Sequence, residues 1–248
     1  MRTLSVVFFM ILIQSMVLCL CWAGPVDNQG YAALLRSYVK DGVVDYAGLK
    51  RKESDLDAYL VTLEQISPGT MSRNDQLAFY INAYNAWTLK LVLMNYPVKS
   101  IRDIGGIFSD PWKIQFVKID GKTTTLNYIE HNVLRPRFKD PRVHMAINCA
   151  SKSCPPLMSI PFEGDKLESQ LDQVTGAFVN DMKSNRIEGR TLYVSSIFDW
   201  FGEDFGGKSG VISFFIRYLK PEYKARLEAG RGDVQLGYLK YDWSLNGN

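Results

Sequence analysis

The segment 144–157, HMAINCASKSCPPL, holds one histidine and two cysteines within fourteen residues. A cysteine becomes a nucleophile when a nearby imidazole or helix terminus lowers its pKa, because the thiolate is the species that attacks a carbonyl carbon. Two cysteines this close can also close a short disulfide loop. A buried cysteine at the end of a strand is often simply part of the core. Three interpretations of Cys149 are therefore open: a nucleophile, half of a disulfide with Cys154, or an inert core residue.

The chain has only two histidines, His131 and His144, so a Cys–His site must use one of them. The apolar run 143–148 predicts a short buried strand, and on a regular strand the side chains of His144 and Cys149 point to opposite faces. A direct pair between them would need a bend at Asn148. His131 comes from a preceding predicted helix and is the freer partner.

Metal and other cofactor chemistry is less well supported. Glu130, His131, His144 and Cys149 are the types of residue that bind zinc, but their spacing matches no compact zinc pattern. Glu130 also points about 100° around the predicted helix from His131, so it cannot easily orient that ring. No phosphate-binding loop, G-x-S-x-G or HExxH pattern occurs, and the spacing of the cysteines differs from the C-x-x-C of thioredoxin-like proteins. We predict no metal and no cofactor.

Two asparagines, Asn82 and Asn85, lie one turn apart in a predicted helix that is apolar nearly all round. A buried amide without a partner costs roughly 1–3 kcal/mol on mutational scales, so both side chains need hydrogen bonds. One interpretation is that they bind loop backbone and fix the fold. The other is that they orient an imidazole or a substrate amide, which makes them candidate site residues.

The elements that position these residues can be predicted from periodicity and turn signals. Ser72 and Asp75 form a capping box at the start of the apolar helix, which Pro97 ends. Asp120-Gly121 predicts a hairpin between strands at 112–119 and 122–125. Further helices are predicted near 31–39, 56–63, 126–135 (capped by Thr125 and closed by Pro136), 164–183, 197–201 (capped by Ser196) and 211–219, with strands at 192–194 and 234–243. This pattern is typical of one α+β domain with a helical first half and a short, mostly antiparallel sheet.

The amino terminus predicts export. Residues 1–23 carry one positive charge and a long apolar run, which is typical of a signal peptide cleaved after Ala23. The alternative is an uncleaved membrane anchor. We expect residues 24–248 to form the α+β domain in a secreted or periplasmic protein. Its two remaining cysteines would then be in a compartment where disulfides persist.

Composition excludes some classes of function. A hydrophobic content of 46% is ordinary for a folded domain, and a net charge of +3 is weak. No basic block stands out, so we predict no binding to nucleic acid and contact with a membrane only through the signal segment. The sequence identifies no other partner.

Several stretches together resemble the domain-of-unknown-function family 547. They lie between residues 74 and 246, and they are NDQLAFYINAYNAWTL, LNYIEHNVLRP, HMAINCASKSCPPL, IFDWFGEDFG and YDWSLN. The family has bacterial members, often exported, and plant members, and its name implies that no activity is settled. The order of helix, hairpin and strand is similar to papain-like and transglutaminase-like folds by analogy only, since the buried helix here carries no cysteine.

The resemblance implies which residues matter. The family pattern matches the pairs Asn82/Asn85 and Glu130/His131, and it matches Cys149 together with the turn 153–155. Plant-like members commonly lack a cysteine at the position of Cys154, which implies a separate role for Cys149. His144 is matched in many bacterial members.

These observations lead to a hypothesis, a rival and a third class, thiol redox exchange, which ranks last because the cysteines lack the C-x-x-C spacing. The hypothesis is a thiol-dependent hydrolase or acyltransferase centred on Cys149, with His131 or His144 as the base and Asn82 and Asn85 in support. The rival is a non-enzymatic envelope or binding protein in which a Cys149–Cys154 disulfide is structural.

Overall fold

One long buried helix, α4 (Arg73–Asn95), organises the fold in a computed structural model that describes residues 26–106, 109–229 and 233–247. The Ser72 hydroxyl accepts a hydrogen bond from the backbone amide of Asp75 and lies 2.6 Å from its carboxylate, which confirms the predicted helix start. Side chains are buried around the whole circumference of α4, so the prediction of an apolar, enclosed helix is also confirmed. The predicted signal peptide lies outside the described residues.

Helices make up most of the described chain, and small sheets lie between them. The helices are α1 (Gln29–Tyr38), α2 (Tyr46–Lys50), α3 (Glu53–Gln65), α4, α5 (Leu126–Tyr128), α6 (Val143–Ala146), α7 (Leu167–Val179), α8 (Ile197–Trp200), α9 (Gly207–Tyr218) and α10 (Pro221–Glu228). A π-helix (Ile129–Phe138) continues directly from α5 and packs against α4. The strands are β1 (Val39–Lys40), β2 (Val43–Val44), β3 (Val117–Ile119), β4 (Lys122–Thr124), β5 (Arg186–Glu188), β6 (Thr191–Ser195) and β7 (Gln235–Leu239). The predicted α+β class is confirmed.

The strands pair mostly in antiparallel fashion, as predicted. The hairpins β1–β2 and β3–β4 and the pair β5–β6 are antiparallel, whereas β7 lies parallel to β6. Asp120 and Gly121 connect β3 to β4 with positive φ angles of 54° and 66°, the geometry expected of a tight hairpin turn. The parallel pairing brings the end of β7, just before Tyr241, beside the end of β6.

One predicted strand is wrong and another is shorter than predicted, and the reasons are local. Residues 143–148 contain the short helix α6 instead of a strand, because the Asp140 carboxylate accepts the Arg142 amide and turns the chain just before it. The strand predicted from residue 112 begins only at Val117. The preceding residues form a 3-10 turn, in which the Asp110 side chain accepts the Trp112 amide.

Two predicted helix boundaries also need correction. Pro136 does not close its helix, which continues as the π-helix to Phe138. The wider π turn relieves the clash that a proline ring has with the preceding turn of an α-helix. Thr125 caps the start of α5 as predicted, but Ser196 does not cap α8, because its hydroxyl donates instead to the carbonyl of Leu239. Within the described residues, no helix combines the length and hydropathy needed to cross a membrane.

Candidate active site

Cys149 lies just after α6, and hydrogen bonds fix both of its neighbours, Asn148 and Ala150. The amide of Asn148 donates to the Asn85 side chain at 2.8 Å, and the Asn148 side chain donates to the Pro155 carbonyl at 2.8 Å. The same side chain accepts the Ala150 amide at 2.9 Å, and Ala150 has a positive φ of 60°. A non-glycine residue in this left-handed region is unusual and marks a position that its surroundings fix.

The sulfur of the half-buried Cys149 is surrounded by hydrogen-bond donors. It lies 3.0 Å from Cys154 Sγ, 3.0 Å from Ser151 Oγ and 3.2 Å from Tyr241 Oη. Ser151 Oγ and Tyr241 Oη are 2.8 Å apart, so the two hydroxyls form one network with the sulfur. Hydrogen bonds to a thiolate favour it over the thiol. The bond from Cys154, followed by those from Ser151 and Tyr241, lowers the pKa of Cys149 to about 7.

Cys154 has the opposite character. It is buried, and its sulfur accepts the backbone amide of Cys149 at 2.9 Å. Burial raises the pKa of Cys154 well above its ordinary value, and its bond to Cys149 raises it further. The pair therefore keeps its proton on Cys154 while Cys149 ionises. Both cysteines are free thiols in the structure.

A partly open pocket of about 210 Å³ lies in front of Cys149. Most of its wall is aromatic or aliphatic. Its lining residues are Tyr84, Asp110, Trp112, Asn127, Glu130, His131, His144, Ile147, Cys149, Cys154, Ile197, Trp200, Phe201, Tyr241 and Trp243. A neighbouring cavity of about 730 Å³ shares Asp110, Trp112, Trp200 and Trp243 with it, so the space in front of the sulfur continues along a tryptophan-lined surface.

Glu130 contributes a buried carboxyl group to this pocket. The Tyr84 hydroxyl donates to it at 3.2 Å from the middle of α4. Burial raises the pKa of Glu130 to about 7, and the negative charge of Cys149 adds to the increase. A carboxyl group that ionises near neutral pH can both release and accept a proton there, as a general acid–base catalyst does.

Both histidines belong to a second network in the same pocket. His144 Nε2 lies 2.7 Å from Asp204 Oδ2, and the ring stacks on Phe201 at 4.2 Å. Arg135 pairs with the same carboxylate through two nitrogens and lies 2.7 Å from His131 Nδ1. Burial lowers the pKa of both imidazoles, which keeps them neutral at pH 7. The hydrogen bond from His144, together with Arg135, lowers the pKa of Asp204.

The structure brings four of the six predicted site residues together: Cys149, Glu130, His131 and His144 all line the pocket. Among the described residues, neither imidazole hydrogen-bonds to the Cys149 sulfur, whose partners are the thiol and hydroxyls given above. In the part of the chain that the structure describes, no group of three or more histidine, cysteine or acidic side chains is placed to hold a metal ion.

The remaining two, Asn82 and Asn85, lie outside the pocket lining and bind backbone. Asn82 holds both the amide and the carbonyl of Phe162, at 2.9 and 2.8 Å. Asn85 donates to the carbonyl of Ala146 at 3.0 Å and accepts the amide of Asn148. Asn85 thus holds the segment that carries Cys149, whereas Asn82 holds a different loop.

Sequence reasoning did not select Ser151, Tyr241 or Asp204 as site residues. Tyr241 is 92 residues from Cys149 in the chain, so no spacing rule connects them. The available signal was the resemblance, because Tyr241 begins the stretch YDWSLN and Asp204 lies within IFDWFGEDFG.

Fold and site define an α+β protein with a low-pKa cysteine at an aromatic pocket. Residues 68–179 match the family model described as "Protein of unknown function, DUF547", so this segment belongs to the DUF547 family, as the resemblance indicated. The segment contains α4, the π-helix and both cysteines, while Asp204 and Tyr241 lie beyond it. No curated protein and no solved structure shows significant similarity to the chain.

Proposed function

We propose that this protein is a thiol-dependent hydrolase or acyltransferase in which Cys149 is the nucleophile. The observation that carries the proposal is the surroundings of its sulfur, which faces a pocket and is hydrogen-bonded by Ser151, Cys154 and Tyr241. A thiolate that exists at neutral pH beside a cavity is the chemical requirement for attack on an acyl carbon. Burial raises the pKa of Tyr241, so its hydroxyl keeps its proton and remains a donor.

Glu130 is the group that we assign to proton transfer with the leaving group. The Cys149 thiolate forms a bond to the acyl carbon, and the bond from that carbon to the leaving group breaks. The protonated Glu130 carboxyl gives its proton to the departing atom. Water or a second acceptor then attacks the thioester, the carbon–sulfur bond breaks to release the Cys149 thiolate, and the proton lost by the attacking group returns to the pocket.

His144 is the better placed histidine to take that proton. A general base is more effective when a neighbouring carboxylate stabilises its cation, and Asp204 does this for His144. His131 instead contacts the guanidinium of Arg135, which disfavours a positive charge on its ring.

The experiment is acylation of the reduced full chain by p-nitrophenyl acetate. We expect repeated turnover, with an acetyl group on the tryptic peptide 143–152, which contains Cys149 but not Cys154. Release of that group by hydroxylamine identifies a thioester. Cys149→Ser is the inactive variant, and Cys154→Ser is the matched control that keeps the nucleophile. Acylation no faster than that of free cysteine, without turnover, would remove the proposal.

The rival proposal is a non-enzymatic exported protein with a structural Cys149–Cys154 disulfide, and the 3.0 Å between the two sulfurs favours it. It predicts that protein secreted by a bacterial host contains no thiol at either position before reduction. Amino-terminal sequencing of the same sample tests export, since a cleaved signal peptide places Gly24 first. Recovery of intact Met1 in a membrane fraction would contradict cleavage.

A further inference from the structure

The two cysteines differ in a way that acyl transfer does not require. Both cysteines line the aromatic pocket, but Cys149 is half-buried whereas Cys154 is buried, and the two sulfurs are 3.0 Å apart. The Cys149 amide also donates to Cys154 Sγ, which holds the second sulfur against the backbone of the first. A thiol that ionises at a pocket, with a protonated thiol in contact, is the arrangement in which the first sulfur is oxidised and the second resolves it.

Cys154 can also be approached from a different side. It lines a second cavity of about 300 Å³ together with Gly42, Lys152, Pro156 and Asn246, and Cys149 is not part of that lining. A small molecule therefore has two routes to the neighbourhood of the two sulfurs, the aromatic pocket and this second cavity.

We infer that Cys149 and Cys154 form a redox couple that reduces hydroperoxides, with Cys149 as the sulfur that is oxidised and Cys154 as the thiol that resolves it. This activity uses the same sulfur as the proposed acyl transfer but does not depend on it. It also differs from a structural disulfide, because the bond forms and breaks in each cycle.

The reaction balances in two steps. The Cys149 thiolate attacks the hydroperoxide, a sulfur–oxygen bond forms, the oxygen–oxygen bond breaks, and the leaving alkoxide takes a proton from solvent. Sulfur is thereby oxidised by two electrons to a sulfenic acid, and the hydroperoxide is reduced to an alcohol. The Cys154 thiol then attacks the sulfenic sulfur, the disulfide forms, and the hydroxide leaves as water with the thiol proton.

The return step is reduction by a thiol, which supplies two electrons from two molecules. Attack at the Cys154 sulfur releases Cys149, which is the better leaving group because its thiolate is stabilised by Ser151 and Tyr241. The second cavity gives a small thiol its approach to that side of the pair.

The test uses the full chain, reduced, freed of reductant and treated with stoichiometric hydrogen peroxide. Lys152 separates the two cysteines, so trypsin gives peptides 143–152 and 153–166, which remain joined only if the disulfide has formed. We expect joined peptides from the wild type and their separation after dithiothreitol. In Cys154→Ser the sulfenic acid should persist on Cys149 and be trapped by dimedone, and Cys154→Ala provides a second variant if serine disturbs folding.

At pH 7 we expect hydrogen peroxide to oxidise Cys149 about fivefold faster than it oxidises free cysteine. The larger thiolate fraction raises the rate, and the lower intrinsic nucleophilicity of a low-pKa thiolate offsets part of the gain. Tyr241→Phe should slow the oxidation several-fold while leaving the circular dichroism spectrum unchanged.

Separate peptides with Cys149 oxidised to sulfinic acid, or dimedone on Cys154 in place of Cys149, would overturn the inference. Acyl transfer is assayed under reductant, so either activity can fail while the other is observed.

Discussion

Buried polar side chains have two different roles in this molecule. The asparagines of α4 have one role, and the ionisable residues of the pocket have the other. Asn82 and Asn85 are neutral, and each binds a backbone amide and a backbone carbonyl. Glu130 and Cys149 are ionisable, face a cavity and have pKa values near 7. Full pairing with backbone gives a buried polar group a structural role, whereas an ionisable group beside a cavity remains available for reaction.

The largest expected effect concerns Cys149, one of the two ionisable residues at the pocket. Cys149→Ala should abolish acyl transfer and peroxide reduction, because it removes the nucleophile. Cys154→Ser should keep acyl transfer, because its hydroxyl can still donate to the Cys149 sulfur in place of the thiol. The measurement is turnover under reductant, with thermal unfolding as the check on folding. Turnover by Cys149→Ala at the wild-type rate would place the reacting group elsewhere.

The two asparagines provide the next test. Asn82→Ala leaves the amide and carbonyl of Phe162 without their partner, and we expect the free energy of unfolding to fall by about 3 kcal/mol. Asn85→Ala should destabilise the fold by a similar amount, because Ala146 and Asn148 lose their partner. Chemical denaturation measures both changes.

Asn82→Ala and Asn85→Ala should differ in the reactivity of Cys149. Alkylation of Cys149 should be unchanged in Asn82→Ala and altered in Asn85→Ala, because only Asn85 holds the residue that precedes the nucleophile. Alkylation of Asn85→Ala at the wild-type rate would show that the reactivity of Cys149 does not depend on Asn85.

The carboxyl group of Glu130 should give the protein a distinct pH dependence. Its pKa is about 7 in the folded state against an ordinary 4.5. The folded protein therefore binds a proton that the unfolded chain lacks between these values, and stability falls as pH rises through this window. Glu130→Gln should remove this contribution, which amounts to at most about 3 kcal/mol at pH 7 and above.

The difference in unfolding free energy between wild type and Glu130→Gln, measured from pH 4 to 8, isolates this carboxyl from the histidines that titrate nearby. Below pH 4.5 the Glu130 contribution to the difference should vanish. A difference that is constant across the range would contradict the raised pKa.

The smallest effect is expected at Asp204. Asp204→Asn removes the charge that stabilises a protonated His144, so the pKa of His144 should fall further and turnover should decrease several-fold. Alkylation of Cys149 reports the sulfur alone and should hardly change. A loss of alkylation as large as the loss of turnover would indicate that Asp204 acts on the thiol directly.

Local features of the fold could be predicted from the sequence. The cap at Ser72, the cap at Thr125 and the turn at Asp120 and Gly121 each depend on residues within four positions, so their side-chain types predict them. Residues 143–148 were predicted wrongly because a short apolar run suits a strand and a buried helix equally well. Their conformation is set by Asp140 and Asn85, and the contact with Asn85 is a tertiary one.

The candidate site shows the same limit. The rarity of cysteine and histidine selected Cys149 and both histidines, and Glu130 was selected by its residue type and by the resemblance. The pairing of Asp204 with His144 and of Tyr241 with Cys149 spans 60 and 92 residues, which no local spacing can predict. The role of Asn85 in holding Asn148 likewise required the fold.

Every step proposed for Cys149 requires a low-pKa thiol, and the rate of its alkylation by iodoacetamide as a function of pH measures that pKa. The reduced full chain is labelled from pH 5 to 10, and the adduct is quantified on peptide 143–152, with Tyr241→Phe as the matched variant. We expect an apparent pKa of about 7 for the wild type and a higher value for Tyr241→Phe. An apparent pKa at or above the ordinary thiol value of about 8.5 in both proteins would contradict it.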